Sequence, residues 1–342
     1  MKRIIATLLI LSMATVMVSC SNAPMDAVIP DLTAPEFSEY SFSEDFPQEL
    51  RVYAAPWTTD ARQEAMFDGM IHYYFMSSKN MVMDPKESDP FKWGDSTLIV
   101  FPNGQTMLVD VGMAAYAPVL AENLKRMGIR RVDYLMISHP HGDHCGGIIA
   151  EESFLDMIEV GTFLYSGIDR GTSSDTTKIL YQRFNDRNIP VQIVKQGDML
   201  QFGDVTMSIL WPLDGTDGRV ITKTATINNN SIVARIDYGA HSSLFVGDLY
   251  VAGEIQLVAN FGERLDVDLL KVPHHGYATS SSRIFIGTVR PDIAVAMGAY
   301  RASIHRLYES AGTYFLFDEY DGYIHVFSDG QTMRYDTDRT GH

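Results

Sequence analysis

The chain has 342 residues, 46% of them hydrophobic and 20% charged, a balance that fits one large globular domain or two smaller ones and excludes a disordered chain. Its formal charge of −16 repels phosphate backbones at long range and argues against tight nucleic-acid binding. With two cysteines, Cys20 and Cys145, there is no disulfide framework to read.

The chain opens with Met1-Lys2-Arg3, an apolar run to Val18, and then Ser19-Cys20, which predicts a signal peptide over residues 1–19. A small residue before Cys20 marks a bacterial lipoprotein processing site, with Cys20 as the lipidated first residue. A plain signal peptide or membrane anchor is the alternative, and either one exports the protein. Residues 20–46, with Pro24, Pro30 and Pro35 among acidic and hydroxyl side chains, read as a tether from the membrane. Residues 47–342 are expected to form a single domain. No other stretch approaches the ~20 apolar residues that span a bilayer.

Within the domain, Ile71–Phe75, Thr97–Phe101 and Met107–Val111 read as strands, the last two joined by a Pro102-Asn103-Gly104 turn. A long segment, Ser77 to Lys92, interrupts them. Leu120, Leu124 and Met127 recur at helical spacing and Gly128 stops the helix. The short apolar strand Tyr134–Ser138 then leads into His139-Pro140-His141-Gly142-Asp143-His144, four metal-binding side chains in six residues. In a turn through Pro140 and Gly142, His139 and His141 can share one metal while Asp143 and His144 share a second. Gly146-Gly147 lets the backbone pass close by. Cys145 reads as a packing residue.

This H-x-H-x-D-H run resembles the signature of the metallo-β-lactamase superfamily, whose members are mostly dinuclear metallohydrolases. Other motifs follow in the expected order, over roughly residues 70–330. Gly94-Asp95-Ser96 resembles the G-D-[SA] motif, and Asp110 the aspartate that orients the metal histidines. The Gly-Asp ending at Asp248 resembles the bridging metal ligand. Pro273-His274-His275-Gly276 and Asn228-Asn229-Asn230-Ser231 look most like the hydrolase domain of the ComEC/Rec2 competence proteins. That branch also lacks a third histidine for the first metal, and none lies between residues 145 and 240 here.

The resemblance implies a four-layer αββα sandwich and two divalent ions, zinc by default and manganese as the alternative. The implied ligands are His139, His141, Asp143, His144, Asp248 and His275, with Asp110 and Asn230 supporting them. Asp143, His274 and His305 are the implied catalytic residues. His275 is taken as the ligand and His274 as the substrate-facing proton donor, although sequence does not separate adjacent histidines. Arg301 and Arg306 stand near His305 where the family pattern differs, and Arg301 is placed to meet an anionic substrate. Ser280 is read as the cap of the following helix, and Tyr314–Tyr335 as short strands with Asp-Gly turns.

The expected activity is hydrolysis of a phosphodiester or related phosphate ester, small or oligomeric, by a metal-bound hydroxide. Hydrolysis of a lactone, thioester or β-lactam is the second reading. A surface-tethered binding module with a degenerate metal site is the third.

Overall fold

A computed structural model describes residues 66–76, 94–171, 175–213, 220–298 and 301–337. The expected signal peptide, Cys20, the 20–46 tether and the 77–92 segment up to Lys92 lie outside these residues. Among the described residues, fifteen strands form two sheets. The first runs in the order β15-β14-β1-β2-β3-β4-β5-β6 and the second β13-β12-β11-β10-β9-β8-β7. In the first sheet β1 is Ile71–Phe75, β2 Thr97–Val100, β3 Thr106–Val109, β4 Arg131–Met136, β5 Glu159–Tyr165, β6 Val191–Ile193, β14 Ile324–Ser328 and β15 Met333–Thr337. The second contains β7 Met199–Phe202, β8 Val205–Trp211, β9 Val233–Tyr238, β10 His241–Phe245, β11 Leu269–Lys271, β12 Ile293–Ala296 and β13 Tyr314–Phe317.

Alternation along each strand decides which core a side chain enters. Ile99 and Phe101 face the second sheet and join Ile236, Phe245, Leu269 and Val295 in the central core. Leu98 and Val100, one residue out of step, face the other way. There they pack with Leu120 and Leu124 of α1 (Ala117–Arg126), Ile148 of α2 (Gly142–Ile149) and Phe184 of α3 (Thr176–Asp186). After the single-turn α4 (Thr224–Asn228), the outer face of the second sheet is covered in the same way. Leu257 of α5 (Val251–Phe261), Phe285 of α6 (Arg283–Val289) and Tyr308 of α7 (Ala302–Ser310) pack there against Leu244 and Leu270. The result is helix, sheet, sheet, helix: the αββα sandwich. A one-turn helix, α8 (Asp318–Asp321), enters β14.

One local expectation needs correction and another is refined. Ser280 does not cap α6. Its hydroxyl donates to the carbonyls of Pro273 and Tyr277, and Ser282 instead accepts from the Phe285 amide. Gly146 and Gly147, expected to let backbone pass close by, do so from inside α2. A Cβ on Gly146 would fall 2.8 Å from the Ala114 amide nitrogen, so glycine lets α2 dock against the backbone after β3.

β3, β4 and β5 run parallel, as do β10, β11, β12 and β13. Residues just past the C-terminal ends of β3, β4, β10 and β11 supply the site, the usual location for function in parallel sheets. β2 is antiparallel to β3, so the residues just before β2 reach the same edge.

Candidate metal centre

Asp248 is the point on which the segments converge. It follows β10 through Gly247, whose φ of +51° and close approach to Ser231 leave no room for a side chain. The Asp248 amide donates to Ser231 Oγ at 3.1 Å, which fixes the turn. Its Oδ2 lies 3.2 Å from His144 Nε2, 3.5 Å from His275 Nε2, 3.7 Å from His139 Nε2 and 3.8 Å from His274 Nε2. Four imidazoles from two sheets thus face one carboxylate oxygen.

The 139–144 run is held from below by Asp110, at φ +61° just past β3. Its carboxylate accepts from the Ser138 amide and hydroxyl, both at 2.7 Å, and from His144 Nδ1 at 2.8 Å. This orients the His144 ring and leaves Nε2 facing Asp248. His139 Nε2 and His141 Nδ1 lie 2.9 Å apart, on one side of the centre. Asp143, half-buried, is 3.9 Å from His144 Nε2 and 3.3 Å from His275 Nε2, on the other side. His275 Nδ1 donates to the Met297 carbonyl at 3.0 Å, so its Nε2 is the ring nitrogen turned inward.

In the metal-free chain, burial pushes up the carboxyl pKa values of Asp248 and Asp143, but His144 and His275 outweigh it and hold both well below the ordinary range. Conversely, burial works against the charge on His144, but Asp248 and Asp110 outweigh it and lift its pKa well above normal. Burial likewise opposes the charge on His275, which Asp248 and Asp95 raise. His139 is driven well below 6.5 by burial, with the His144 charge adding to it. His141 falls to about 4, chiefly by burial and then by Arg170.

The donor set therefore contains neutral imidazoles, ionised carboxylates and histidines whose protons a cation would replace. His144 Nε2, His275 Nε2 and Asp248 Oδ1 are buried with no hydrogen-bond partner among the described residues. Such orphaned donors and acceptors fit a divalent cation. Single ligand atoms of Asp95, His144, Asp248 and His275 also lie within 4.8 Å of one another.

Asp95 is the residue that motif reading passed over. Gly94-Asp95-Ser96 was legible as a motif, but its reach into the centre was not. That reach depends on Gly94, where a Cβ would fall 2.3 Å from the Asp143 carbonyl oxygen. Lys271, which forms an ion pair with Asp95, gave no signal within its apolar strand.

Three expected residues sit elsewhere or act differently. Asn230 does not support the ligands: its Nδ2 donates to the Thr226 carbonyl at 2.7 Å. The neighbours do the work instead. Asn229 Oδ1 accepts from the Tyr250 and Gly253 amides at 3.0 and 3.2 Å, and Ser231 holds Asp248. His305 stacks on Phe315 of β13 with ring centroids 5.1 Å apart and lies 3.3 Å from Glu309 on its own helix. Arg301 spreads its guanidinium 3.7 Å from the Tyr277 ring centroid, and that ring is 5.0 Å from His274.

An αββα sandwich that gathers histidines and aspartates at the C-terminal ends of its parallel strands is a metallo-β-lactamase-like fold with side chains suited to hold a divalent cation there. Comparison with known proteins agrees, since residues 94–161 match the Metallo-beta-lactamase superfamily. The chain is 29% identical over 209 residues to the Competence protein ComA of Neisseria gonorrhoeae, covering 60% of this chain and 26% of that protein. It is 32% identical over 179 residues to ComE operon protein 3 of Bacillus subtilis, covering 52% of this chain and 21% of that protein. The match thus spans about a quarter of the length of these relatives. Among solved structures, the metallo-beta-lactamase fold protein YhfI from Bacillus subtilis aligns with a TM-score of 0.45 and 13% identity, over 72% of this chain and 95% of that one. The chain is thus similar to the Metallo-beta-lactamase superfamily over residues 94–161 and, over a little more than half of its length, to these competence-related proteins.

Proposed function

We propose that the protein is an exported, metal-dependent hydrolase of phosphodiesters or related phosphate esters. The observation that carries hydrolysis is Asp248 Oδ2, set within 3.8 Å of four histidine nitrogens at a buried centre with orphaned ligand atoms. Two divalent ions, zinc by default, would be held by His139 and His141 on one side and by Asp143, His144 and His275 on the other, with Asp248 between. Bound there, such ions acidify water and take up negative charge developing on the substrate.

The chain's own residues do the rest. Asp110 and the Met297 carbonyl fix the rings of His144 and His275. His274 is half-buried and has its pKa lowered by burial; its Nδ1 contacts Thr279 Oγ1 at 2.5 Å. It stands beside the reacting position as a proton carrier for the leaving group. Arg301, laid over Tyr277, supplies a fixed positive charge on a strongly acidic protein, which supports an anionic substrate.

The test compares turnover of bis(p-nitrophenyl) phosphate with that of nitrocefin, for the parent and for Asp248→Ala. The proposal expects phosphate-ester hydrolysis that is lost in the variant. Preference for nitrocefin would replace the substrate class, and no metal-dependent turnover of either would remove the hydrolase reading. Arg301→Met is expected to raise KM for the phosphate ester while changing kcat little.

Export and lipid attachment at Cys20 belong to the same proposal, with the membrane as the partner of the anchor. Among the described residues no helix is long and apolar enough to cross a membrane. Mass spectrometry of the mature N-terminus checks this part: an acylated Cys20 supports it, and an unprocessed Met1 sinks it.

A further inference from the structure

Behind His275 lies a charged pair that the reaction above leaves unused. Lys271, the last residue of β11, forms an ion pair with Asp95, and both side chains are at most 5% exposed. Burial works against the charge on each. Lys271 and His275 nevertheless bring the Asp95 carboxyl down to about 2, and Asp95 keeps the Lys271 ammonium above its ordinary pKa. A buried pair of this kind is costly to build and adds little stability over an apolar replacement. Its position says what it does instead.

Asp95 Oδ1 is 3.0 Å from His275 Nδ1, the same distance as the Met297 carbonyl, so the one Nδ1 proton is shared between carboxylate and carbonyl. On the far side of the same ring, Nε2 looks toward Asp143 and Asp248 at 3.3 and 3.5 Å. Asp95 therefore has two available uses. One of its oxygens is close enough to His144, Asp248 and His275 to join them as a ligand. Alternatively, the carboxylate stays behind the ring and fixes its orientation, as carboxylates do for many metal-binding histidines. The Lys271 ammonium distinguishes the two. It holds the other oxygen, and a positive charge attached to Asp95 opposes bringing that carboxylate against a metal cation.

We infer that Lys271 is a positioning residue: it pins Asp95 behind His275 as an orienting carboxylate, not a ligand, and so keeps the His275 Nε2 lone pair on the metal position. This rests on the reading that a divalent cation binds at Asp143, Asp248 and His275.

The experiment loads the metal-free full-length protein with zinc alone or cobalt alone and measures affinity by chelator competition and the visible cobalt spectrum. The central variant is the double change Asp95→Asn with Lys271→Met. It removes one negative and one positive charge together, so the formal charge of the site is unchanged. Replacing both members of a buried pair also preserves folding better than removing one. The expected result is a folded protein that binds one metal equivalent roughly tenfold to a hundredfold more weakly. Lys271→Met alone frees Asp95 and is expected to alter the cobalt spectrum as the carboxylate enters the coordination shell. Parent-like affinity in the double variant, or an unchanged cobalt spectrum in folded Lys271→Met, overturns the inference. A parent chain that holds no metal removes the functional reading as well, whereas a metal-binding parent with insensitive variants removes this inference alone.

Discussion

His274 and His275 both occupy left-handed backbone, with φ of +47° and +53°, followed by Gly276 at +73°. Each such non-glycine residue costs on the order of 1–3 kcal/mol, a strain that persists where function needs the geometry. Here it turns two successive imidazoles toward Asp248, which an extended pair cannot do because neighbouring side chains alternate. Asp110 stands in the same region of backbone and points back at His144. Asp110→Asn keeps the shape but loses the carboxylate, and should weaken metal affinity roughly tenfold to a hundredfold with the circular dichroism spectrum unchanged. A second prediction follows from the raised pKa values of His144 and His275. In the metal-free chain both rings hold their protons more tightly than free imidazole does, and a cation must displace them. Metal uptake should therefore release protons and weaken as pH falls, which titration calorimetry in buffers of different ionisation enthalpy will detect. The histidines of 139–144 were legible in sequence because their chemistry is compressed into six residues. Asp95 was legible as part of the Gly94-Asp95-Ser96 motif but its place at the centre was not, and Lys271, a single charge ending an apolar strand, has meaning only opposite Asp95.

Elements set the precision with which these residues are held. The Asn228–Ser231 run reads as a turn, or as a stand-in for a missing histidine. In the fold it is a bracket, with Asn229 tying down the start of α5 and Ser231 the Asp248 amide. Trp211 closes β8 and donates from its indole nitrogen to the Asn229 carbonyl at 2.8 Å, so a third element steadies the bracket. The α6 cap illustrates the limit of local reading. Ser280, Ser281 and Ser282 are equivalent in sequence, but Ser281 sits at φ +62°, and Ser282 has the extended backbone that lets its oxygen face the helix. Ser282→Ala should therefore lower stability by about 1 kcal/mol, and Ser280→Ala should not act as a cap mutation. Denaturant midpoints of the two variants decide this. β7 is four residues long, with Phe202 buried and Met199 exposed, too short a run for alternation to mark it as a strand.

For the whole molecule, the two sheets share one core while each keeps a private core with its helices. Phe163 stacks on Phe184 at 3.9 Å in the first helix layer, and Phe163→Ala should cost about 3–5 kcal/mol, read from thermal unfolding. Burial pushes the phenols of Tyr73, Tyr116, Tyr165 and Tyr308 above their ordinary range. A group whose pKa is higher folded than unfolded holds its stabilisation below the unfolded value and loses it as pH rises. The fold should thus weaken above pH about 10, the onset of phenol ionisation in the unfolded chain, in circular dichroism of the metal-free protein.

The sequence by itself determined the alternation of strands and helices, the layered class of fold and the histidine run. Each of these is written in short-range periodicity or spacing, which physics reads within a few residues. Only the tertiary structure decided that Asp95 and Lys271 stand behind His275, that Asn230 turns away, and that Asp248 meets four histidines. Those facts are distances between segments far apart along the chain, fixed by how two sheets pack and by glycines at Gly94 and Gly247 that let backbones touch.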